Sequence, residues 1–225
     1  MKQQKLLILA ASMLACAGCV AARAQTPDAG TNRWMINLAG SAVFFPDLSG
    51  KIFLAGGQVP GASLNVPSQG TPSFDLGYFI TPSIAVDVFA GVPPKTQILG
   101  TGPLAPLGTL ATTFYGPGVI ALQYYIPGLG PVHPYVGAGV NWTFFLGTTD
   151  RALTHVQPAD AFGVPFEAGI HYDLARSWTL NIDFKYILLN NRISAEFDTP
   201  GGALPALAKA DINPLVMSIG FGYRF

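Results

Sequence analysis

The chain has 225 residues, half of them hydrophobic and only 11% charged, with a mean hydropathy of +0.39. Soluble domains carry about 25% charged residues, so this composition cannot coat a water-facing surface and excludes an ordinary soluble globule. Nor do twelve Lys and Arg against twelve Asp and Glu make the basic footprint of a nucleic-acid binder.

The N-terminus reads as an export signal. Lys2 and Lys5 precede an apolar run from Leu6 to Val20, and Ala22-Arg23-Ala24 is an A-x-A cleavage site. The expected division is therefore 1–24 signal peptide and 25–225 mature protein. Lipidation at Cys16 or Cys19 is the rival reading of the same segment. Cleavage after Ala24 leaves nine basic residues against twelve acidic, a net charge of −3, and no cysteine. Disulfides and thiolate metal sites are then excluded, and no cofactor is expected.

Beyond Gln25 no run of 18 apolar residues occurs, so no spanning helix is expected. An exported hydrophobic chain can instead satisfy its backbone in lipid as a closed β-barrel. In chain order the expected strands are Trp34–Phe45, Ser73–Phe79, Ile84–Val92, Thr113–Tyr125, Pro134–Phe145, Phe162–Tyr172, Trp178–Leu188 and Leu215–Phe225. The seventh is the clearest: Trp178, Leu180, Ile182, Phe184, Tyr186 and Leu188 share one face, and Thr179, Asn181, Asp183 and Lys185 the other. That is a period of 2, not 3.6. The reading is all-β: an eight-stranded antiparallel transmembrane barrel, with short periplasmic turns and long extracellular loops at 46–72, 93–112, 146–161 and 190–212. The last strand places Phe221, Tyr223 and Phe225 on one face, an ending that resembles the signal read by the bacterial barrel-assembly machinery.

Alternation puts Asp75, Asp87, Glu167, His171, Asp183, Lys185 and Arg224 inside. An eight-stranded barrel is just wide enough for side chains to fill it. Lys185 is expected to neutralise carboxylates drawn from Asp87, Glu167 and Asp183, plugging the periplasmic half, with ion binding or gating as the alternative. Phe89 faces inward near the extracellular end of its strand, as filling or as a constriction. The loops are unusually apolar, with Leu104 and Leu107 in the second; they either pack together or form a hydrophobic entrance.

The segments Gln123-Tyr124-Tyr125, Pro134-Tyr135-Val136-Gly137-Ala138-Gly139-Val140-Asn141 and Asn213-Pro214 through Phe225 resemble the outer membrane protein W (OmpW) family. Gly40-Ser41-Ala42-Val43 followed by Pro46 does too. The resemblance covers nearly the whole mature chain. It implies an eight-stranded barrel with a narrow, largely hydrophobic lumen, passive uptake of small hydrophobic solutes and sideways release through the wall. Where the family has Leu-Pro-Pro opening the fourth strand, this chain has Tyr115-Gly116-Pro117-Gly118. Pro removes a ladder hydrogen bond and Gly weakens a strand, so Gly116, Pro117 and Gly118 are the expected weak point of the wall.

Catalysis finds no support: neither G-x-S-x-G nor H-E-x-x-H occurs, and His133, His155 and His171 are scattered. Two functions stand: an outer-membrane channel for small hydrophobic molecules, or a structural or surface-interaction barrel working through its loops. Expected partners are outer-membrane lipid, lipopolysaccharide, the assembly machinery and, for the channel, hydrophobic solutes.

Overall fold

A computed structural model describes residues 33–175 and 177–225. The expected signal peptide, its cleavage after Ala24 and the lipidation alternative lie outside these residues. In chain order the elements are β1 (Trp34–Phe44), β2 (Ser49–Leu54), β3 (Gly57–Gln58), β4 (Ser63–Asn65), β5 (Gln69–Thr81), β6 (Ile84–Gly91), β7 (Lys95–Thr101), a 3-10 turn (Gly102–Leu107), β8 (Thr109–Tyr125), β9 (Val132–Asp150), β10 (Thr154–Pro158), β11 (Ala161–Ala175), β12 (Trp178–Thr199), β13 (Gly202–Asp211) and β14 (Leu215–Arg224).

Eight of these close a barrel in the order β1-β5-β6-β8-β9-β11-β12-β14, each antiparallel to the next, with β14 returning to β1. They correspond to the eight strands expected from periodicity. The lipid face is apolar throughout, with Leu38, Val140, Ile219 and Phe162 among its most exposed side chains. Aromatics gather at both rims of this band, as interfacial girdles do. Trp34 packs on Tyr78 and Trp178 on Tyr223 at the periplasmic rim; Trp142 packs on Phe144 and Phe162 at the other.

The connections 46–72, 93–112, 146–161 and 190–212 were expected as loops, and the structure corrects this. Most of their length is strand. β12 runs for 22 residues, roughly 70 Å at about 3.3 Å per residue, against an apolar band about 25 Å tall. Its upper half pairs with β10 and β13, β13 pairs with β2, and β2 with β3, building an extracellular sheet. β7 extends the wall along β8 and carries β4. The alternation that marks a membrane strand fades at Asn190-Asn191-Arg192 because an outer face in water need not be apolar. Backbone pairing continues regardless, and that is why hydropathy misses it.

The seam between first and last strands ends in a reciprocal pair of backbone hydrogen bonds: Trp34 N–H to the Phe225 carbonyl at 3.0 Å, and Phe225 N–H to the Trp34 carbonyl at 2.8 Å. Deleting Phe225 removes both, and the expected loss is about 1–3 kcal/mol, seen as less heat-modifiable barrel in outer-membrane fractions. Phe225→Ala keeps the backbone pair. If its folded yield equals wild type while the deletion fails, the aromatic ring carries no assembly information.

Candidate functional site

The barrel interior is layered. At the periplasmic end Phe79, Tyr125, Tyr135 and His171 pack ring on ring, with centroids 5.0–5.8 Å apart. Met35 and Ala85 complete this floor, and the Arg224 guanidinium lies 4.2 Å from the Phe79 ring centre. The sequence reading assigns this aromatic floor no role. The paired tyrosines at Tyr124-Tyr125, one facing each way, were its available signal.

Above the floor lies the charge layer. Register explains its assembly: Glu167 on β11 stands directly opposite Lys185 on β12, and Asp183 is two residues away on the same face. Lys185 Nζ sits 2.6 Å from Asp183 Oδ1, 3.0 Å from Glu167 Oε2 and 3.6 Å from Asp75 Oδ1 across the lumen. Asp183 also accepts a 2.6 Å hydrogen bond from the Tyr135 hydroxyl. The Glu167 contact is an ion pair without hydrogen-bonding angles, since neither Glu167 oxygen has a hydrogen-bond partner. Compared with the expected cluster, the third carboxylate near Lys185 is Asp75 rather than Asp87. Asp87 is equally buried, in the same layer, but none of its oxygens lies within 4.0 Å of a cation among the described residues, and its Oδ2 has no hydrogen-bond partner. Its strand, β6, sets it opposite Gly77 rather than opposite β12.

Two glycines make this crowding possible. A Cβ on Gly137 would lie 2.8 Å from Glu167 Cγ, and one on Gly169 would enter the Tyr135 ring. Gly137 therefore leaves the space through which Glu167 reaches Lys185. Gly137→Ala is expected to cost about 1–3 kcal/mol, measured as a lowered urea midpoint in lipid vesicles. An unchanged midpoint would show that Glu167 can move aside without loss.

Phe89 caps the charge layer. Its ring centre is 5.1 Å from Lys185 Nζ, and its other surroundings are Val43, Val119, Ala121, Ile187, Leu189 and Val216. It thus stands at the boundary between charge and hydrocarbon. Above it opens a cavity toward the extracellular sheet. None of its nineteen lining residues is charged; Phe45, Leu48, Leu64, Val66, Ile98 and Ile212 are typical. Leu104 and Leu107, expected at a hydrophobic entrance, sit on the 3-10 turn and do not line it. The turn holds no buried residue, and its apolar side chains face partly outward. The lining comes instead from the upper ends of the barrel strands, such as Val43, Thr113, Thr143 and Leu189, and from other residues of the 46–72, 93–112 and 190–212 connections, such as Leu64, Ile98 and Ile193.

The wall beside this cavity is interrupted. β8 pairs with β6 as far as Gly118 opposite Ala90, and pairs again with β7 from Phe114 opposite Lys95. Tyr115, Gly116 and Pro117 have no ladder partner on that side. The facing residues turn the other way: Val92 N–H donates to the Pro72 carbonyl at 2.9 Å, and its carbonyl accepts from Thr71 Oγ1 at 2.5 Å. Pro93, Pro94 and Pro117 supply no N–H to close the gap. Gly118, expected within the weak point, is its last paired residue. Tyr115 and Pro117 both line the cavity, so interruption and cavity are continuous. On the lipid side the Phe144 ring lies over Gly116, where a Cβ would collide with it.

A closed antiparallel barrel with a lipid-facing apolar band and aromatic rims defines an outer-membrane β-barrel protein. The OmpW family model matches residues 34–225, and the chain belongs to that family. It is 32% identical to outer membrane protein AlkL of Ectopseudomonas oleovorans, over 88% of this chain and 85% of AlkL. It is 33% identical to the dibenzothiophene metabolism operon protein PahQ of Pseudomonas aeruginosa, over 85% of this chain and 88% of PahQ. The crystal structure of the outer membrane protein OprG from Pseudomonas aeruginosa superposes with a TM-score of 0.79 at 28% identity, covering 86% of this chain and 96% of OprG.

Proposed function

We propose that this barrel is a passive channel that brings small hydrophobic molecules into the outer membrane and releases them sideways through the wall. The observation that carries this reading is the junction of an uncharged cavity with an unpaired stretch of β8. A solute entering from the extracellular side meets only apolar and hydroxyl-bearing side chains. Phe89 and the charge layer stop it from continuing along the axis, because passing Lys185 and its carboxylates means desolvating charges. The exit of least cost is the gap at Tyr115–Pro117, where few backbone hydrogen bonds need to open. Kinship with a protein of a dibenzothiophene metabolism operon supports an apolar solute class.

The direct test is accumulation of a labelled alkane or terpene by cells with and without the protein, at equal barrel content. Faster accumulation with the protein is expected. Equal rates would favour the second reading, a surface-interaction barrel acting through its extracellular sheet.

A further inference from the structure

The extracellular sheet has an outer face that solute uptake does not use. Register sets Arg192 on β12 opposite Lys209 on β13, and Lys209 opposite Lys51 on β2. All three are exposed. Neighbouring strands are about 4.8 Å apart, so the three cations occupy a row about 10 Å long. Three of the nine basic residues after Gln25 thus stand shoulder to shoulder in a chain that is otherwise net acidic. Like charges directly opposite one another weaken a sheet. Among the described residues no carboxylate lies within 4.0 Å of any of the three. Glu196, the acid above them on β12, is held by His155 at 3.1 Å. Asp211 lies one row below, opposite Asn190.

The height of the row identifies its counter-ion. Outward positions of β12 run Phe184, Tyr186, Leu188, Asn190, Arg192, so Arg192 is the first charge of that strand above the apolar band, with the acids Asp211 beside Asn190 and Asp47 beside Tyr186 nearer the membrane. That level is the headgroup layer of the outer leaflet, where fixed phosphates are presented by lipopolysaccharide. The Lys209 ammonium is steadied by the Phe53 ring, 5.5 Å away. Ser49 and Asn190 line the same shallow depression and add neutral donors, and the Asp211 carboxylate lines its membrane-side edge, leaving three cations against one acid. Arg offers its fork to phosphate and the lysines act as point charges.

We propose that Lys51, Lys209 and Arg192 form a binding row for the phosphate groups of lipopolysaccharide, which relieves their mutual repulsion and fixes the height of the extracellular sheet above the membrane. This rests on the sheet register and stands independently of solute transport.

The test uses the full mature barrel folded in zwitterionic detergent, titrated with lipopolysaccharide, with the same lipopolysaccharide after enzymatic dephosphorylation, with phosphatidylglycerol and with inorganic phosphate. The triple variant Lys51→Gln/Lys209→Gln/Arg192→Gln is expected to bind lipopolysaccharide on the order of 100-fold more weakly, about fivefold per charge. Lys51→Arg/Lys209→Arg should retain binding, and dephosphorylated lipopolysaccharide should bind wild type as poorly as intact lipopolysaccharide binds the triple variant. Without lipopolysaccharide the triple variant should unfold at the same urea concentration as wild type or a higher one. Equal lipopolysaccharide binding by a correctly folded triple variant would overturn the proposal. So would equal competition by phosphatidylglycerol or inorganic phosphate, which would reduce the row to general anion attraction. A triple variant less stable than wild type in detergent alone would also overturn it, by showing that the cations serve a structural contact.

Discussion

Lys185→Met is expected to lower the stability of the barrel by about 3–5 kcal/mol. Lys185 is 1% exposed and holds carboxylate oxygens of Asp183, Glu167 and Asp75 at 2.6, 3.0 and 3.6 Å. Methionine fills much the same volume, so the substitution isolates charge from packing. What remains is a set of buried acids, with Asp87 beside them, facing one another without a cation. The loss should appear as a lower urea midpoint for unfolding from lipid vesicles. Adding Asp183→Asn to Lys185→Met should recover part of it, because the amide keeps a partner for the Tyr135 hydroxyl while one negative charge disappears. An unchanged midpoint in the single variant would mean that the layer is neutralised by protons or solvent and that Lys185 is not its counter-ion.

Placing charge in the cavity should abolish most uptake while leaving the barrel intact. Leu64 on β4 and Ile98 on β7 line the cavity, and neither belongs to the eight-stranded wall. Leu64→Asp/Ile98→Asp forces an apolar solute past ionised groups that hold water. Each added 1.4 kcal/mol, about the cost of a partly hydrated charge nearby, slows passage about tenfold, so a fall of tenfold or more in uptake is expected. Leu104→Asp/Leu107→Asp is the matched control: two equal charges on the adjacent 3-10 turn, outside the lining, and little change in uptake. Folding of both is checked by heat-shift on a gel. Equal loss in both variants would place the entrance over the turn and not through the cavity.

The barrel itself was legible because membrane strands obey two rules at once, period-2 burial and an apolar outer face. Trp178–Leu188 and Leu215–Phe225 show both, and their observed faces match the alternation residue for residue. The inward charges were legible for the same reason. Which carboxylates meet Lys185 was not, because alternation gives the face of a residue but not its height. Height depends on register, and Asp75 reaches Lys185 from across the lumen while Asp87 does not. The extracellular sheet was hidden because alternation fades at Asn190-Asn191-Arg192, where the outer face of the strand stands in water and need not be apolar. In water those residues remain compatible with pairing along a strand already aligned by the barrel beneath. The gap at Tyr115–Pro117 was visible as Gly-Pro-Gly, but its limits followed from where β6 stops and β7 resumes.

The hydroxyl of Ser41 bonds that of Ser218 at 2.7 Å, across 177 positions of chain. This contact belongs to the seam where β1 meets β14, and its separation sets the tempo of folding. Loop-closure entropy must be met before so distant a pairing returns any free energy, which makes topologies of this kind slow to form. Until the seam zips, β1 and β14 present two open edges that hydrocarbon cannot solvate. Insertion and closure are thus coupled: a half-closed barrel has no stable place in the lipid, and completion waits on the pairing of β14 with β1.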